Sequence, residues 1–91
     1  MKVLHLHLKF EYFDAIKNGQ KHFEYRLASK WQKKLDANNY THVRLYRGYQ
    51  KASSATVIDR IYSGYRHITK THKHFGKDPV EVCAIDVRKA A

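Results

Sequence analysis

The chain is 91 residues long, with 18 Lys and Arg against 8 Asp and Glu, a formal net charge of +10 when its seven histidines are neutral. That length holds one domain with a modest core and excludes a second. The charge costs some stability through self-repulsion but attracts polyanions, so RNA, DNA or an acidic membrane surface are the partners physics favours, with simple solubility as the bland reading.

Val3 to Leu8 alternates strictly, three leucines on one face and His5 and His7 on the other, the period of a half-buried strand. Phe10, Phe13 and Ile16 then recur at helical spacing, and Asn18-Gly19 ends that helix, since glycine accepts the left-handed conformation of a helix stop. From Lys21 to Leu27 the period returns to two, with Phe23, Tyr25 and Leu27 on one face and His22, Glu24 and Arg26 on the other. Ser29-Lys30-Trp31-Gln32 fits a capping box, predicting a short basic helix to about Leu35, followed by a polar loop from Asp36 to Thr41. Val43 to Arg47 reads as a third strand, and Gly48 to Ser54 as a flexible connection suited to ligand contact. Thr56 to Tyr62 and Tyr65 to Thr71 read as a hairpin around Ser63-Gly64, and Val80 to Val87 as an apolar closing strand. Within that last strand the single cysteine, Cys83, lies between Val82 and Ala84, which predicts a buried thiol without redox function.

Six strands and two short helices, the later strands joined by turns, predict an α+β domain over residues 1–91: a small mixed or antiparallel barrel with helices over its ends. No apolar run approaches the ~20 residues of a spanning helix, and Met1-Lys2-Val3 leads straight into the alternating pattern, so a cytoplasmic chain without a membrane partner is expected. The charge excess has a place. Residues 1–20 carry three lysines and two acids, whereas fifteen basic groups and six acids follow from Lys21 onward.

Chemistry concentrates in Gly19-Gln20-Lys21-His22-Phe23-Glu24-Tyr25-Arg26. Glu24 and Arg26 project from one side of a strand about 7 Å apart, near enough to share a ligand or to pair with each other. Lys21 is roughly 10 Å of extended chain from Glu24. A carboxylate can take a proton from a hydroxyl or water while lysine and arginine stabilise developing negative charge, so the three are candidate catalytic residues. Strict alternation sets Lys21 on the side of Phe23 and Tyr25, and it joins Glu24 only if the preceding turn twists it round. A structural ion pair with a solvated turn lysine is the competing reading.

Around that stretch, tyrosines and Trp31 are interleaved with basic residues, the combination that holds single-stranded RNA by stacking and phosphate contact. Lys9, Tyr25, Trp31, Lys34, Arg47, Tyr49 and Arg66 are the candidate RNA-binding residues, with Trp31 and Tyr49 expected to be the exposed aromatics and about half of the aromatics expected in the core. His72 and His74, flanking Lys73, are further candidates as acid, base or phosphate ligand. A zinc site from His5, His7, His72 and His74 is not required by any spacing, and neither metal nor cofactor is expected.

Gly19, Lys21, Glu24 and Arg26 fill the four positions of G-x-K-x-x-E-x-R, and the chain resembles the ASCH domains, a PUA-like barrel group. Leu6-x-Leu8-Lys9, Tyr12-Phe13-x-x-Ile16-Lys17, Trp31, Gly48-Tyr49, Gly64-Tyr65-Arg66 and Thr71-His72-x-His74-Phe75-Gly76 extend the resemblance over nearly the whole chain, to short members often carried by phages. It implies a barrel with a cleft beside the signature and RNA, preferably single-stranded, as ligand. Some members cleave RNA, which here implies a metal-independent ribonuclease. Another branch deacetylates N4-acetylcytidine with a Lys, a Thr and a Glu. Lys21 matches that lysine, Glu24 stands at the threonine position, and Glu81 cannot be placed by motif as the distal glutamate. A non-catalytic protein of a mobile element, occupying a host protein or nucleic-acid complex, fits the same charge and size.

Overall fold

The computed structural model describes residues 1–71 and 76–91. Its elements are β1 (Val3–Leu8), α1 (Phe10–Lys17), β2 (Phe23–Leu27), α2 (Ala28–Ala37), β3 (His42–Arg47), β4 (Val57–Ile61), β5 (Tyr65–Lys70) and β6 (Val80–Asp86). The class is α+β, with six strands in two sheets of three, ordered β1-β3-β4 and β2-β6-β5.

In the first sheet β1 runs parallel to β3, and β3 antiparallel to β4. Leu4, Leu6 and Leu8 point inward opposite Val43 and Leu45, leaving His5 and His7 outside, as alternation predicts. A parallel pair needs a crossover, and α1, β2 and α2 supply it. Helix α1 buries Phe13 and Ile16, whereas Phe10, expected on the same stripe, is half-exposed at the first helical position. The second sheet is antiparallel throughout, with β6 in its centre. Both sheets and both helices contribute to one core, in which Phe13, Leu35, Leu45, Ile58, Cys83 and Ile85 meet. Burying each such side chain contributes about 1.5–3 kcal/mol.

Two expectations are corrected. The segments after Arg47 do not form a hairpin around Ser63-Gly64, because β4 belongs to the first sheet and β5 to the second. The free edge of β4 is taken by the chain's last residues: Ile61 donates its N–H to Lys89 O at 2.8 Å and Arg60 bridges to Ala90. Gly64, at φ +86°, turns the chain between the sheets. The capping box also fails. Helix α2 starts at Ala28 straight from β2, with no side-chain cap, so Ser29 is already inside the first turn, and the helix runs on to Ala37.

Candidate functional site

The polar side of β2 is its inward side. Cross-strand neighbours share a face, and Glu24 and Arg26 stand opposite Ile85 and Cys83, which belong to the core cluster, whereas Ala84 and Val82, opposite Tyr25 and Leu27, do not. Phe23 and Tyr25 therefore lie on the outer face, partly covered by cations: Arg66 and Arg88 over Phe23, Lys21 and Lys70 over Tyr25. Alternation was legible in the sequence; which face turns to the core was not.

Where β2 leaves the core, a pocket of about 480 Å³ opens. Its walls come from the end of β1 with Lys9, from Phe10 and Tyr12 on α1, from Lys21, from Glu24 to Leu27, from Lys30 and Trp31 on α2, and from Gly48-Tyr49. Glu24, at 6% exposure, is the one buried charged side chain among the described residues. Arg26 donates from Nε to Glu24 Oε2 at 3.0 Å, its Nη2 lies 2.8 Å from the same oxygen, and Nη2 also donates to the His7 carbonyl at 2.9 Å. The pair is thus tied to β1. Burial pushes the Glu24 carboxyl above the usual carboxylate range, against the pull of Arg26 and Lys21.

Lys21 reaches this pocket through the turn. Gly19, at φ +78°, closes α1, and the N–H groups of Gln20 and Lys21 both donate to Ala15 O, at 2.8 and 3.1 Å. Strand β2 starts only at Phe23, so alternation does not bind Lys21. Its ammonium lies 4.3 Å from the Tyr25 ring centroid and 5.3 Å from that of Tyr12. Burial lowers its pKa, Glu24 opposes that, and the neighbouring Lys70 charge adds to it. Lys21 is thus a half-buried ammonium on aromatic faces, near enough to Glu24 for the two charges to act on each other.

Trp31, expected to be exposed, is half-buried against the core, and the Arg26 guanidinium and the Lys34 ammonium each lie 5.0 Å from its ring. Trp31 nevertheless lines the pocket. Tyr49 is 88% exposed at the rim, as expected. Lys9 and Tyr25 also line the pocket. Arg47 does not: it is clamped by Asp14 at 2.9 and 3.0 Å and lies over the Phe10 ring at 4.1 Å, joining β3 to α1. Arg66 sits on the outer face of the second sheet, away from the pocket. His72 and His74 lie outside the described residues.

Seven lining residues were not among the sequence candidates, and four of them, His7, Phe10, Tyr12 and Lys30, bring a ring or a charge. For Lys30 the signal was its place beside Trp31 on a basic helix. Phe10 and Tyr12 carry none, since their helical spacing reads as core. Among the described residues no group of three or more His, Cys, Asp and Glu side chains gathers as a metal site. No helix among them is long and apolar enough to cross a membrane. Compared with known proteins, the chain matches no family model, no curated protein and no solved structure.

Proposed function

We propose that this chain is an RNA-binding domain of the ASCH, PUA-like type, and that it draws one unpaired nucleotide of a single strand into the pocket. The observation that carries this reading is the buried Glu24–Arg26 pair on the pocket floor beside the Trp31 ring, in a chain of net charge +10. A carboxylate and a guanidinium side by side accept from and donate to the edge of a base, while an aromatic ring takes its face. In this reading Lys21 and Lys9, both lining the pocket, take the phosphate. The volume suits a small ligand of nucleotide size. In this reading the two sheets are the halves of a PUA-like barrel, laced by the contacts of residues 89 and 90 with β4.

The same three side chains suit a transesterification: Glu24, its carboxyl pushed up by burial, takes the proton of a ribose 2′-hydroxyl as that oxygen bonds the adjacent phosphorus, Lys21 and Arg26 stabilise the charge gathering on phosphate, and the P–O5′ bond breaks, the 5′-oxygen leaving with a proton from water. Deacetylation of N4-acetylcytidine loses its threonine to Glu24, and ribonuclease chemistry is the better match to the residues present.

Trp31 is the chain's only tryptophan, so its emission reports on the pocket. Titration with single-stranded RNA at physiological salt is expected to quench it, with affinity falling about tenfold or more in Lys21→Ala. RNA binding undiminished in both Lys21→Ala and Arg26→Ala would sink the site assignment. Incubating labelled RNA without metal, beside the same RNA with 2′-deoxyribose throughout, tests cleavage.

A further inference from the structure

The outer face of the first sheet carries a column of four rings that core packing does not require. His5, Tyr46, His7 and Tyr49 follow one another at centroid separations of 5.8, 4.6 and 4.3 Å, with interplanar angles of 28°, 18° and 12°. Register sets His7 opposite Tyr46 across β1 and β3. Hydrogen bonds tie three of the rings: His5 Nδ1 lies 2.7 Å from Tyr46 Oη, and His7 Nδ1 donates to Gly48 O at 2.9 Å, since a carbonyl only accepts. The column steps toward the pocket, whose rim includes His7 and Tyr49.

Tyr49 is the last ring. One of its faces meets His7, and at 88% exposure the other is open to solvent. So exposed a ring adds little hydrophobic stability, yet it lies stacked 12° from the plane of His7, an orientation that a stacking ligand rewards. Phe10, the other aromatic residue exposed at the mouth, packs against Gly48 beside it, and Lys9 precedes Phe10 on the same rim.

We infer that Tyr49 is an outer subsite: the base of the nucleotide next to the one in the pocket stacks on its open face and prolongs the column. The ligand is then an unpaired strand of at least two nucleotides, with Lys9 positioned for the phosphate near the rim. Stacking of this kind tolerates any base, because every base has a π-face, and it rejects duplex, whose base faces are already covered. The inference rests on the nucleotide reading of the pocket.

The test uses the full chain, Trp31 emission, a ribodinucleotide and its two counterparts that each lack one base. Each counterpart keeps one base for the pocket and none for Tyr49. In the wild type, loss of a base is expected to weaken binding about tenfold. In Tyr49→Ala, an exposed position whose change leaves the core intact, dinucleotide and counterparts are expected to bind within about twofold of one another. His7→Ala, which unseats Tyr49, is expected to shrink the penalty as well. A tenfold penalty that persists in Tyr49→Ala, or no penalty in the wild type with binding measurable, overturns the outer subsite and leaves the pocket reading standing. No binding of any of the three by the wild type overturns the pocket reading, and the outer subsite with it.

Discussion

Glu24 Oε2 receives Arg26 Nε at 3.0 Å and lies 2.8 Å from Arg26 Nη2, so one carboxylate oxygen holds most of the guanidinium's attention in a place almost closed to water. Removing two charges from water costs several kcal/mol each, and mutual attraction offsets that only with very good geometry. For Glu24 burial outweighs the attraction, since its pKa stands above the usual value. The pair is therefore a costly feature of the fold, and in the proposed reading the ligand accounts for that cost.

Glu24→Gln, which mimics the protonated carboxyl, is accordingly expected to be at least as stable as wild type at pH 7, with Arg26 keeping its bond to the His7 carbonyl. A carboxyl whose folded pKa is raised favours the fold when protonated. Wild-type stability thus grows as pH falls through the folded pKa, and the gap to Glu24→Gln closes below the unfolded value of about 4.3. Urea denaturation at pH 7 and pH 4 measures both. RNA affinity should fall about tenfold in the same variant. A loss of several kcal/mol at pH 7 would instead mark the pair as structural support.

Lys21 gives binding a pH limb of its own. Its ammonium is held below the ordinary lysine range by burial, and phosphate contact requires the charged form. Affinity for RNA is expected to fall as pH rises through that lowered pKa. Over the window between the folded and unfolded pKa the unfolded chain binds the proton more tightly, so this group stabilises the fold as pH rises, and lost binding is not lost structure. Lys21→Arg keeps its charge and should move the limb to higher pH. Dissociation constants from pH 6 to 10 for the two proteins decide it, and coincident profiles would remove Lys21 from the phosphate site.

Tyr65 donates to Asp36 Oδ1 at 2.6 Å, joining β5 to α2, and that hydrogen bond is the main cause of a pKa pushed up to about 12. The bond's contribution is present below pH 10 and is lost as pH rises through 12. Tyr65→Phe should cost about 1 kcal/mol at neutral pH and remove the latest-ionising tyrosine from an ultraviolet titration. If the titration keeps its alkaline limb in Tyr65→Phe, the assignment is wrong.

What the sequence made legible was period and punctuation. The leucines of β1, the stop at Gly19, the existence of all six strands and the buried Cys83 follow from local chemistry. Pairing did not. Ser63-Gly64 looks like a hairpin turn because nothing local says that β4's edge is already taken by residues some thirty positions later. The site was half legible: Lys21, Glu24 and Arg26 do come together, with Tyr25, Trp31, Lys9 and Tyr49 beside them. Arg47 was misjudged because a guanidinium's partner, here Asp14 on another element, is not written in its neighbours. Phe10 and Tyr12 were hidden by spacing that serves core and pocket alike.

The rim of the pocket depends on a glycine. Gly48 has φ +60°, and a Cβ there would come within 2.6 Å of Phe10 Cε1, on a ring that carries the Arg47 guanidinium on top of it at 4.1 Å. Gly48→Ala therefore meets two costs: a left-handed backbone, about 1–2 kcal/mol, and a displaced Phe10 that must drag or leave Arg47. Gly64 has φ +86° with open space around it, so Gly64→Ala meets the first cost alone. Gly48→Ala should be the less stable variant by about 1 kcal/mol in denaturant midpoints, and the one that alters quenching of Trp31 by RNA. Equal destabilisation of the two, with unchanged quenching, would mean that Phe10 yields freely and that the rim is not built on its contact with Gly48.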